Sequence, residues 1–564
     1  MKKFSELAYS RPDRAALEAS LRACIEHLKA ANDFEQAQKA FLDWHEAVLP
    51  ALTQNTIASI RNTMDMSDAF YDEEIAFYNR AIPELNPLLR DSIGALLESP
   101  FRAEFEKTYG AHLFETLKTE YQMLSDEVIA PSVLENELCT AYSKTVARCS
   151  VEFMGEKCNF YGLLRHMQSV DRAERKAAFE AWAKLYEEVS PELEAQYKKL
   201  VELRCSIAEK LGFKSFIDYI YPARGRYDYT AAEAAEFREA VHKYITPLCA
   251  KLAAERAERL GLEKLSWYDE SLVYPEGNAV PQGTPEELVE KAGQMYAALS
   301  PETKEFFDFM REHELFDLVT RPNKHLGGYM TELPEYKAPF IFSNFNGTSA
   351  DVDVLTHEAG HAFQGYYASR RIPLFEQTNS TSEINEIHSM TMELFAYPYM
   401  DLFFGENADK YRYAHFCDAV MTIPYLVSVD EFQHRVFENP EAGAKEWRAF
   451  WKEIEGKYMP WRSYDGNTFL ESGGFWMQKQ HIFLYPFYYI DYALAQMGAF
   501  ALYEKKTRGE DAWGAYLKLC GLGGQYGYFE TLERAGIPLP LKEATVKEIA
   551  AFAEGQIEKL KEKV

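Results

Sequence analysis

The sequence is short of positive charge and lacks any long apolar run. Its 61 Lys and Arg residues stand against 88 Asp and Glu residues, a formal net charge of −27, and no basic stripe offsets the excess. Nucleic acids and anionic membrane surfaces are therefore not expected as partners. No stretch of 18 or more apolar residues occurs, which excludes a transmembrane helix. The first residues, MKKFSELAYSRP, contain two lysines but no apolar segment, so we expect no signal peptide.

Cysteine is scarce, and no two cysteines form a C-x-x-C pair. The eight cysteines are spread along the chain at Cys24, Cys139, Cys149, Cys158, Cys205, Cys249, Cys417 and Cys520. Such spacing is typical of reduced, mostly buried thiols and argues against a disulfide framework or a zinc knuckle. Together with the lack of a signal peptide, it predicts a cytoplasmic protein.

Helical periodicity dominates the chain from its start to about residue 320. Apolar residues recur at three- and four-residue spacing, for example over 173–198 and 231–260. Thr230 and Glu233 have the spacing of a capping box that begins one helix. Prolines at 83–87 and at Pro131 divide the region into bundles. The composition, with 47% hydrophobic residues, suits large buried cores.

One stretch, 327–348, has a different character. It contains two prolines, the run FIFSNF and an Asn-Gly pair, which together indicate a short pair of strands. The helical pattern then returns over 353–369, so an edge strand is expected to lead directly into that helix. A peptide could pair with such an edge through its backbone. The alternative is a small structural hairpin.

The helix predicted over 353–369 carries the pattern H-E-x-x-H as His357-Glu358-Ala-Gly-His361. Residues four apart share a helix face and rise about 6 Å, so the two imidazoles can converge on one metal ion. Glu358 would then lie within reach of a water molecule on that metal and could act as its base. By composition, chance gives this pattern in roughly one chain of this size in twenty. The motif alone therefore leaves coincidence open.

The third metal ligand is not a histidine at the metzincin spacing, because Gln364 and Tyr367 occupy the required glycine and histidine positions. A thermolysin-like E-x-x-x-D is absent too, since four residues after Glu376, Glu383 and Glu386 come Ser380, Ile387 and Met390. A glutamate from another helix is the remaining common solution.

The segment 381–395 offers that glutamate. Glu383, Glu386 and Glu393 lie near one face of a predicted helix, because steps of three and seven residues nearly preserve direction. Spacing favours Glu386 only modestly over Glu383. Glu393 and Asp353 are candidates to accept the other ring N–H of a metal-bound histidine.

Several motifs resemble those of the thimet oligopeptidase and oligoendopeptidase F family, particularly the oligoendopeptidase F and Pz-peptidase branch. The resemblance rests on HEAGH at 357–361 and on EIHSMTME at 386–393, which begins 25 residues after the second histidine. GGY at 327–329, NFNGT at 344–348 and HIFLYPFYYIDY at 481–492 add to it. The likeness is dense over 327–528 and weaker through the N-terminal half.

The resemblance implies specific roles. His357, His361 and Glu386 would bind one Zn²⁺ per chain, and Glu358 would be the general base. His481, Tyr485 and Tyr492 would contact the substrate and the tetrahedral intermediate, where O–H and N–H donors stabilise an oxyanion. The thimet relatives have proline and glutamine where this chain has His388 and Met390, so no substrate contact is carried over to those two positions.

The predicted fold is mainly α: a multi-helix zincin-type metallopeptidase with a small β element next to the zinc helix and, as the family implies, a deep substrate channel. We divide the chain into an N-terminal helical region, 1–150, and a catalytic region, 151–564. The predicted function is that of a zinc-dependent oligoendopeptidase acting on short unfolded peptides. The alternatives are a zinc metallocarboxypeptidase and a non-enzymatic, helical peptide-binding scaffold.

The glycine-rich segment 521–527 could suggest a phosphate-binding loop. It lacks a preceding strand pattern and a G-K-[S/T] ending, so we interpret it as a flexible loop between helices.

Overall fold

The computed structural model describes residues 1–321, 323–325 and 327–564, and most of them are helical. In the first half of the chain the α-helices are α1 (Arg14–Ala30), α2 (Phe34–Met64), α3 (Ala69–Glu84), α4 (Asn86–Leu97), α5 (Arg102–Tyr109), α6 (Ala111–Met123), α7 (Ile129–Ala147), α8 (Phe160–His166), α9 (Arg172–Lys210), α10 (Phe216–Ala223), α11 (Ala231–Arg259), α12 (Pro285–Leu299) and α13 (Pro301–Glu312).

The second half continues with α14 (Ala350–Ser369), α15 (Ser382–Phe395), α16 (Asp401–Phe404), α17 (Ala408–Glu438), α18 (Ala444–Tyr458), α19 (Thr468–Glu471), α20 (Gln480–Leu484), α21 (Tyr489–Thr507), α22 (Ala512–Leu522), α23 (Tyr528–Ala535) and α24 (Glu543–Lys561). The strands are β1 (Val151–Phe153), β2 (Glu156–Cys158), β3 (Phe316–Val319), β4 (Tyr329–Leu333) and β5 (Ala338–Phe345). The mainly α fold predicted from the sequence is confirmed.

Local signals in the sequence account for several helix ends. The Thr230 hydroxyl accepts the Glu233 N–H, and the Glu233 carboxylate accepts the Thr230 N–H, so the predicted capping box begins α11. Pro87 and Pro131 lie in the first turns of α4 and α7, where a missing N–H costs no helical hydrogen bond. Gly523 follows α22, and the predicted loop separates α22 from α23.

The sheet beside α14 has three strands in the order β3-β5-β4. β5 pairs in parallel with β3 and antiparallel with β4, where Tyr329 lies opposite Phe342. The strand that leads into α14 is therefore the central strand, and the prediction of an edge strand at this place is wrong. The reason is that β3 pairs with the second edge of β5. This four-residue strand lies in the region that was predicted to be helical. The hairpin of β1 and β2 is a second exception to that helical reading.

The chain forms two compact units, each assembled from three segments. Unit 1 comprises Met1–Asp126, Val280–Ala408 and Ala501–Pro538, and unit 2 comprises Glu127–Ala279, Asp409–Phe500 and Leu539–Val564. Within unit 1 the first helices pack around Leu21, Phe41 and Phe105. Within unit 2 an aromatic core forms where Tyr197 contacts Trp447 and Trp476 at ring-centroid distances of 5.1 and 5.0 Å. The division into 1–150 and 151–564 remains a prediction.

None of the helices in the described part of the chain is both long enough and apolar enough to cross a membrane.

Candidate metal centre

The turn between β5 and α14 fixes where the H-E-x-x-H helix begins. The buried carboxylate of Asp351 accepts the backbone N–H groups of Asn346 and Gly347, at 2.9 and 2.8 Å. Gly347 has φ +86°, a conformation that favours glycine. Burial raises the pKa of Asp351, although the two backbone hydrogen bonds oppose that shift. The Asn-Gly pair noted in the sequence thus connects the central strand to α14.

Three side chains of unit 1 converge on one point. His357 and His361 lie one turn apart on α14, and the Nε2 atom of each is 3.4 Å from Oε2 of Glu386 on α15. These three atoms form a group with the spacing of metal ligands. Ligand atoms at about 2.0–2.1 Å from a tetrahedral zinc ion lie about 3.4 Å apart, so the spacing matches that geometry.

Gly360 brings α15 close to α14. A Cβ atom added at Gly360 would lie 2.7 Å from Cα of Ser389 and 2.9 Å from the carbonyl oxygen of His388. No side chain fits in that space, and the two helices pack with their backbones nearly in contact. The Ser389 hydroxyl in turn donates a hydrogen bond to Glu386 Oε2 at 3.1 Å. The variable position inside H-E-x-x-H therefore helps to place the carboxylate.

A second glutamate orients His357. Nδ1 of His357 is 2.5 Å from Oε1 of Glu393, the hydrogen bond expected from the sequence for a metal-bound imidazole. With the Nδ1–H bound to a carboxylate, the lone pair of Nε2 is directed to the point where the three side chains converge. For Asp353, one turn before His357, the same kind of role remains a prediction.

The electrostatics of the group couple the imidazoles to the carboxylates. Burial alone would lower the pKa of His357, but its hydrogen bonds to Glu386 and Glu393 raise that pKa well above the ordinary value. Burial alone would raise the pKa of Glu386, but the adjacent His361 and His357 hold it well below the ordinary range. Without a metal, the positive charge of the protonated imidazoles thus keeps the carboxylate ionised. A metal ion bound here would take the place of the Nε2 protons.

Two other glutamates from the sequence analysis occupy distinct positions. Glu358 lies on α14 next to His357 and is half-buried. Glu383 lies in the first turn of α15 and is buried, but the ligand group formed by the described residues contains Glu386 in its place. Of the two candidates that the spacing left open, Glu386 is the one that meets both histidines.

The other predicted site residues belong to unit 2. His481 is in α20, Tyr485 directly follows it and is 54% exposed, and Tyr492 is in α21. Their rings are linked by aromatic contacts. The ring centroid of His481 lies 5.8 Å from that of Tyr485 and 5.9 Å from that of Tyr488. The ring centroids of Tyr488 and Tyr492 are 5.1 Å apart. Tyr488, which the sequence reading did not select, links the three predicted residues.

A buried ion pair holds this aromatic segment. Phe487 is fully buried and has φ +62°, a strained value for a residue other than glycine. The Arg226 guanidinium donates to the Phe487 carbonyl and to Asp491, and Arg224 donates to the other oxygen of Asp491 at 3.1 Å. The sequence offers no signal for this anchor, since more than 250 residues separate the arginines from the segment that they hold.

A second cluster with metal-ligand residue types lies at the β1–β2 hairpin, where Glu156, Cys158 and His166 meet. His166 contacts Glu156 at 2.7 Å through Nε2 and Glu174 at 2.6 Å through Nδ1, while Arg165 pairs with Glu156. Burial alone would lower the pKa of His166, but the two carboxylates raise it. The cluster is therefore a network of hydrogen bonds and ion pairs centred on the His166 imidazole.

Comparison with solved structures places the whole chain beside known peptidases. A structure described as PZ peptidase A with an inhibitor shares 42% identity, and a structure provisionally named oligoendopeptidase F shares 41%. For both, the TM-score is 0.94 and the match covers 100% of each chain. A protein provisionally named oligoendopeptidase F, from Bacillus anthracis, shares 38% identity at a TM-score of 0.90, over 100% of this chain and 99% of the other.

Family profiles agree with the structural likeness. The profile described as the peptidase M3 N-terminal domain matches residues 4–124, and that described as peptidase family M3 matches residues 165–551. No curated protein sequence matches the chain. The larger match spans well over half of the chain and contains the entire ligand group. The chain belongs to peptidase family M3, a family of metallopeptidases.

Proposed function

We propose that the protein is a zinc-dependent oligoendopeptidase that hydrolyses internal bonds of short unfolded peptides. One Zn²⁺ per chain would be held by His357, His361 and Glu386. The observation that carries this proposal is the 3.4 Å distance from each histidine Nε2 to the same Glu386 oxygen.

The donor set fits zinc. Two imidazole nitrogens and one carboxylate oxygen are ligands that catalytic zinc sites use, and three protein ligands leave a fourth position for water or substrate. The hydrogen bond from His357 to Glu393 supports the same assignment, because ligand histidines are usually held by such a contact.

In the proposed reaction, Glu358 moves the proton. When bound, a zinc ion supplies Lewis-acid activation of a water molecule and of the scissile carbonyl. The Glu358 carboxylate takes the proton from the attacking water and then delivers it to the leaving amide nitrogen. Its place next to His357 on α14 supports this role.

His481, Tyr485 and Tyr492 are proposed to hold the peptide and the developing oxyanion. Phenol O–H and imidazole N–H groups donate hydrogen bonds to negative oxygen without being consumed, and one lost oxyanion donor typically costs about 10²–10³ in kcat. The buried anchor formed by Arg226 and Asp491 supports a positioned, rather than mobile, aromatic segment.

The substrate class rests on the relatives. Structures named oligoendopeptidase F and PZ peptidase A resemble this chain over its full length. We therefore expect short peptides to be the substrates and extend the endopeptidase assignment to this chain.

The general-base assignment is tested by Glu358→Gln. The amide cannot accept the water proton, so we expect zinc content near one per chain and a loss of at least 10³ in kcat/KM on a fluorogenic peptide. The matched control is Glu312→Gln, at an exposed position of unit 1, which should keep wild-type values. Turnover at the wild-type rate in Glu358→Gln would contradict the mechanism.

A peptide blocked at both ends distinguishes the endopeptidase from a carboxypeptidase. Mass spectrometry should find internal cleavage products, because an endopeptidase needs no free terminus. Release of C-terminal residues only, and only from unblocked peptide, would instead identify a carboxypeptidase. Metal analysis addresses the scaffold alternative, since the proposal requires about one zinc per chain.

A further inference from the structure

Unit 1 contains a large cavity among its first helices. Its volume is about 510 Å³, within the range of small-molecule sites. Side chains of α1, α2, α4 and α6 line it, among them Ile25, Phe41, Leu96 and Leu117. The lining is mostly apolar, so the cavity offers an apolar ligand the environment of a protein core.

The charged groups in the lining are acidic. Among the described lining residues, Glu120 and Glu376 are the carboxylates, His45 is the single imidazole, and neither Lys nor Arg occurs. Nδ1 of His45 is 2.7 Å from Oε1 of Glu376. The lining therefore contains two carboxylates and a single imidazole.

The pKa of Glu120 depends on its surroundings in the cavity. The Glu120 side chain is accessible to solvent, yet the surrounding helices partly bury it, because it lines the cavity. Burial, together with the negative charge of Glu376, raises the pKa of Glu120. A cation placed beside the two carboxylates would relieve both effects, whereas an anion would add to them.

We propose that this cavity binds a hydrophobic primary amine, with the ammonium group beside Glu120 and Glu376 and the apolar body among the four helices. An alkyl or aromatic body gains the transfer free energy of apolar burial. The ammonium supplies the positive charge that the lining lacks. The same chemistry is presented by a free alkyl amine and by the amino end of a short apolar peptide.

One wall of the cavity belongs to the segment between the two ligand-bearing helices. Glu376 and Gln377 lie in the short 3-10 helix that follows α14 and precedes α15. Gln377 donates to the carbonyl of Tyr109 at 2.7 Å, and its own carbonyl accepts the Gly524 N–H at 2.8 Å. A ligand in the cavity would therefore touch the segment that joins His361 to Glu386. This binding site does not depend on the proposed peptidase mechanism.

Calorimetric titration of the zinc-loaded enzyme with octylamine, octanoate and octanol tests the proposal. The three probes share one apolar chain and differ in head group. We expect saturable binding of octylamine, at least tenfold tighter than that of octanol, and the weakest binding for octanoate. Equal affinity for octanoate or octanol would overturn the amine assignment, and no saturable binding of octylamine would overturn the site.

Variants locate the binding. Glu120→Gln should weaken octylamine at least tenfold and leave octanol unchanged, while Glu115→Gln, an exposed position on the same helix α6, should change neither. Leu117→Trp should occupy part of the cavity and weaken the binding of octylamine and octanol alike. Octylamine affinity that is unchanged in Glu120→Gln would contradict the proposal even if the tryptophan variant does not fold.

Leucinamide and its N-acetyl derivative form the second arm. If the amino end of a peptide is a ligand, leucinamide binds and the acetylated form does not, and Glu120→Gln removes the difference. If octylamine alone binds, the ligand is a free alkyl amine. A binding difference that persists in Glu120→Gln would place the amine elsewhere and overturn the assignment.

Discussion

Gly360 is the residue that sets the distance between the two ligand-bearing helices. We expect Gly360→Ala to lower zinc affinity at least tenfold and to destabilise the protein by about 1–3 kcal/mol, since an added methyl group must push α15 away. Chelator competition and thermal unfolding measure the two effects.

Gly555→Ala is the matched control for that substitution. Gly555 lies exposed in α24, and a Cβ there would meet nothing within 4 Å. Replacing it should leave zinc affinity unchanged and stabilise the helix by up to about 1 kcal/mol. Equal zinc affinity in Gly360→Ala and in the wild type would show that the helix spacing tolerates a side chain.

Glu386 and Glu393 show why one helix can supply both a ligand and its support. They are seven residues apart on α15, nearly two full turns, so their side chains leave the same face. Glu386 meets both Nε2 atoms, while Glu393 reaches Nδ1 of His357. Two glutamates seven residues apart in the sequence thus contact both nitrogens of the His357 imidazole.

At the scale of elements, β4 carries the half-buried Glu332, whose carboxylate packs against the H-E-x-x-H helix. A Cβ at Gly365 would lie 2.1 Å from Glu332 Oε1, so the carboxylate packs against bare backbone of α14. Burial raises the pKa of Glu332 to about 7, although Asn379 donates a hydrogen bond to it. Ionising this group in the folded protein is therefore costly.

We expect Glu332→Gln to change the pH dependence of stability. Below about pH 4.5 Glu332 is protonated in both the folded and the unfolded protein, so its ionisation does not affect stability. Above about pH 7 it is ionised in both states, and the unfavourable free energy of the charge in the folded protein lowers stability fully. As pH rises through this window, the free energy of unfolding of the wild type should fall by up to about 3 kcal/mol relative to that of the variant. Thermal unfolding between pH 4.5 and 8 measures the difference.

Glu335→Gln supplies the control for this comparison, because Glu335 is exposed and lies only three residues further along the chain. Its unfolding midpoint should follow that of the wild type at every pH. If Glu332→Gln also follows the wild type throughout, the Glu332 carboxylate carries no ionisation cost.

The elements also show what sequence patterns can and cannot predict. Periodicity and capping predicted α11 and α15, because these signals are local. The four-residue β3 escaped prediction, and with it the central position of β5, since sheet order depends on pairing between segments distant in sequence. The ligand group needed only two neighbouring helices, whereas the Arg226 anchor needed contacts that no local pattern encodes.

At the scale of the whole molecule, two units, each assembled from three segments of the chain, fold without a disulfide bond among the described residues. All eight cysteines are free thiols, and four of them (Cys158, Cys249, Cys417, Cys520) are buried. Stability therefore has to come from packing, such as the aromatic contacts around Tyr197 in unit 2 and the helical core of unit 1. Composition and charge do not predict that each unit is assembled from three separate segments of the chain.

Thiol chemistry tests this description of the folded molecule. Unfolded, unreduced protein should titrate eight thiols. In the native state the four buried cysteines should react slowly, because they are inaccessible and burial raises the pKa of Cys417 to about 11, leaving little reactive thiolate. The thermal unfolding midpoint should be the same with and without reductant. Fewer than eight thiols, or a midpoint that falls on reduction, would reveal a disulfide that the fold does not contain.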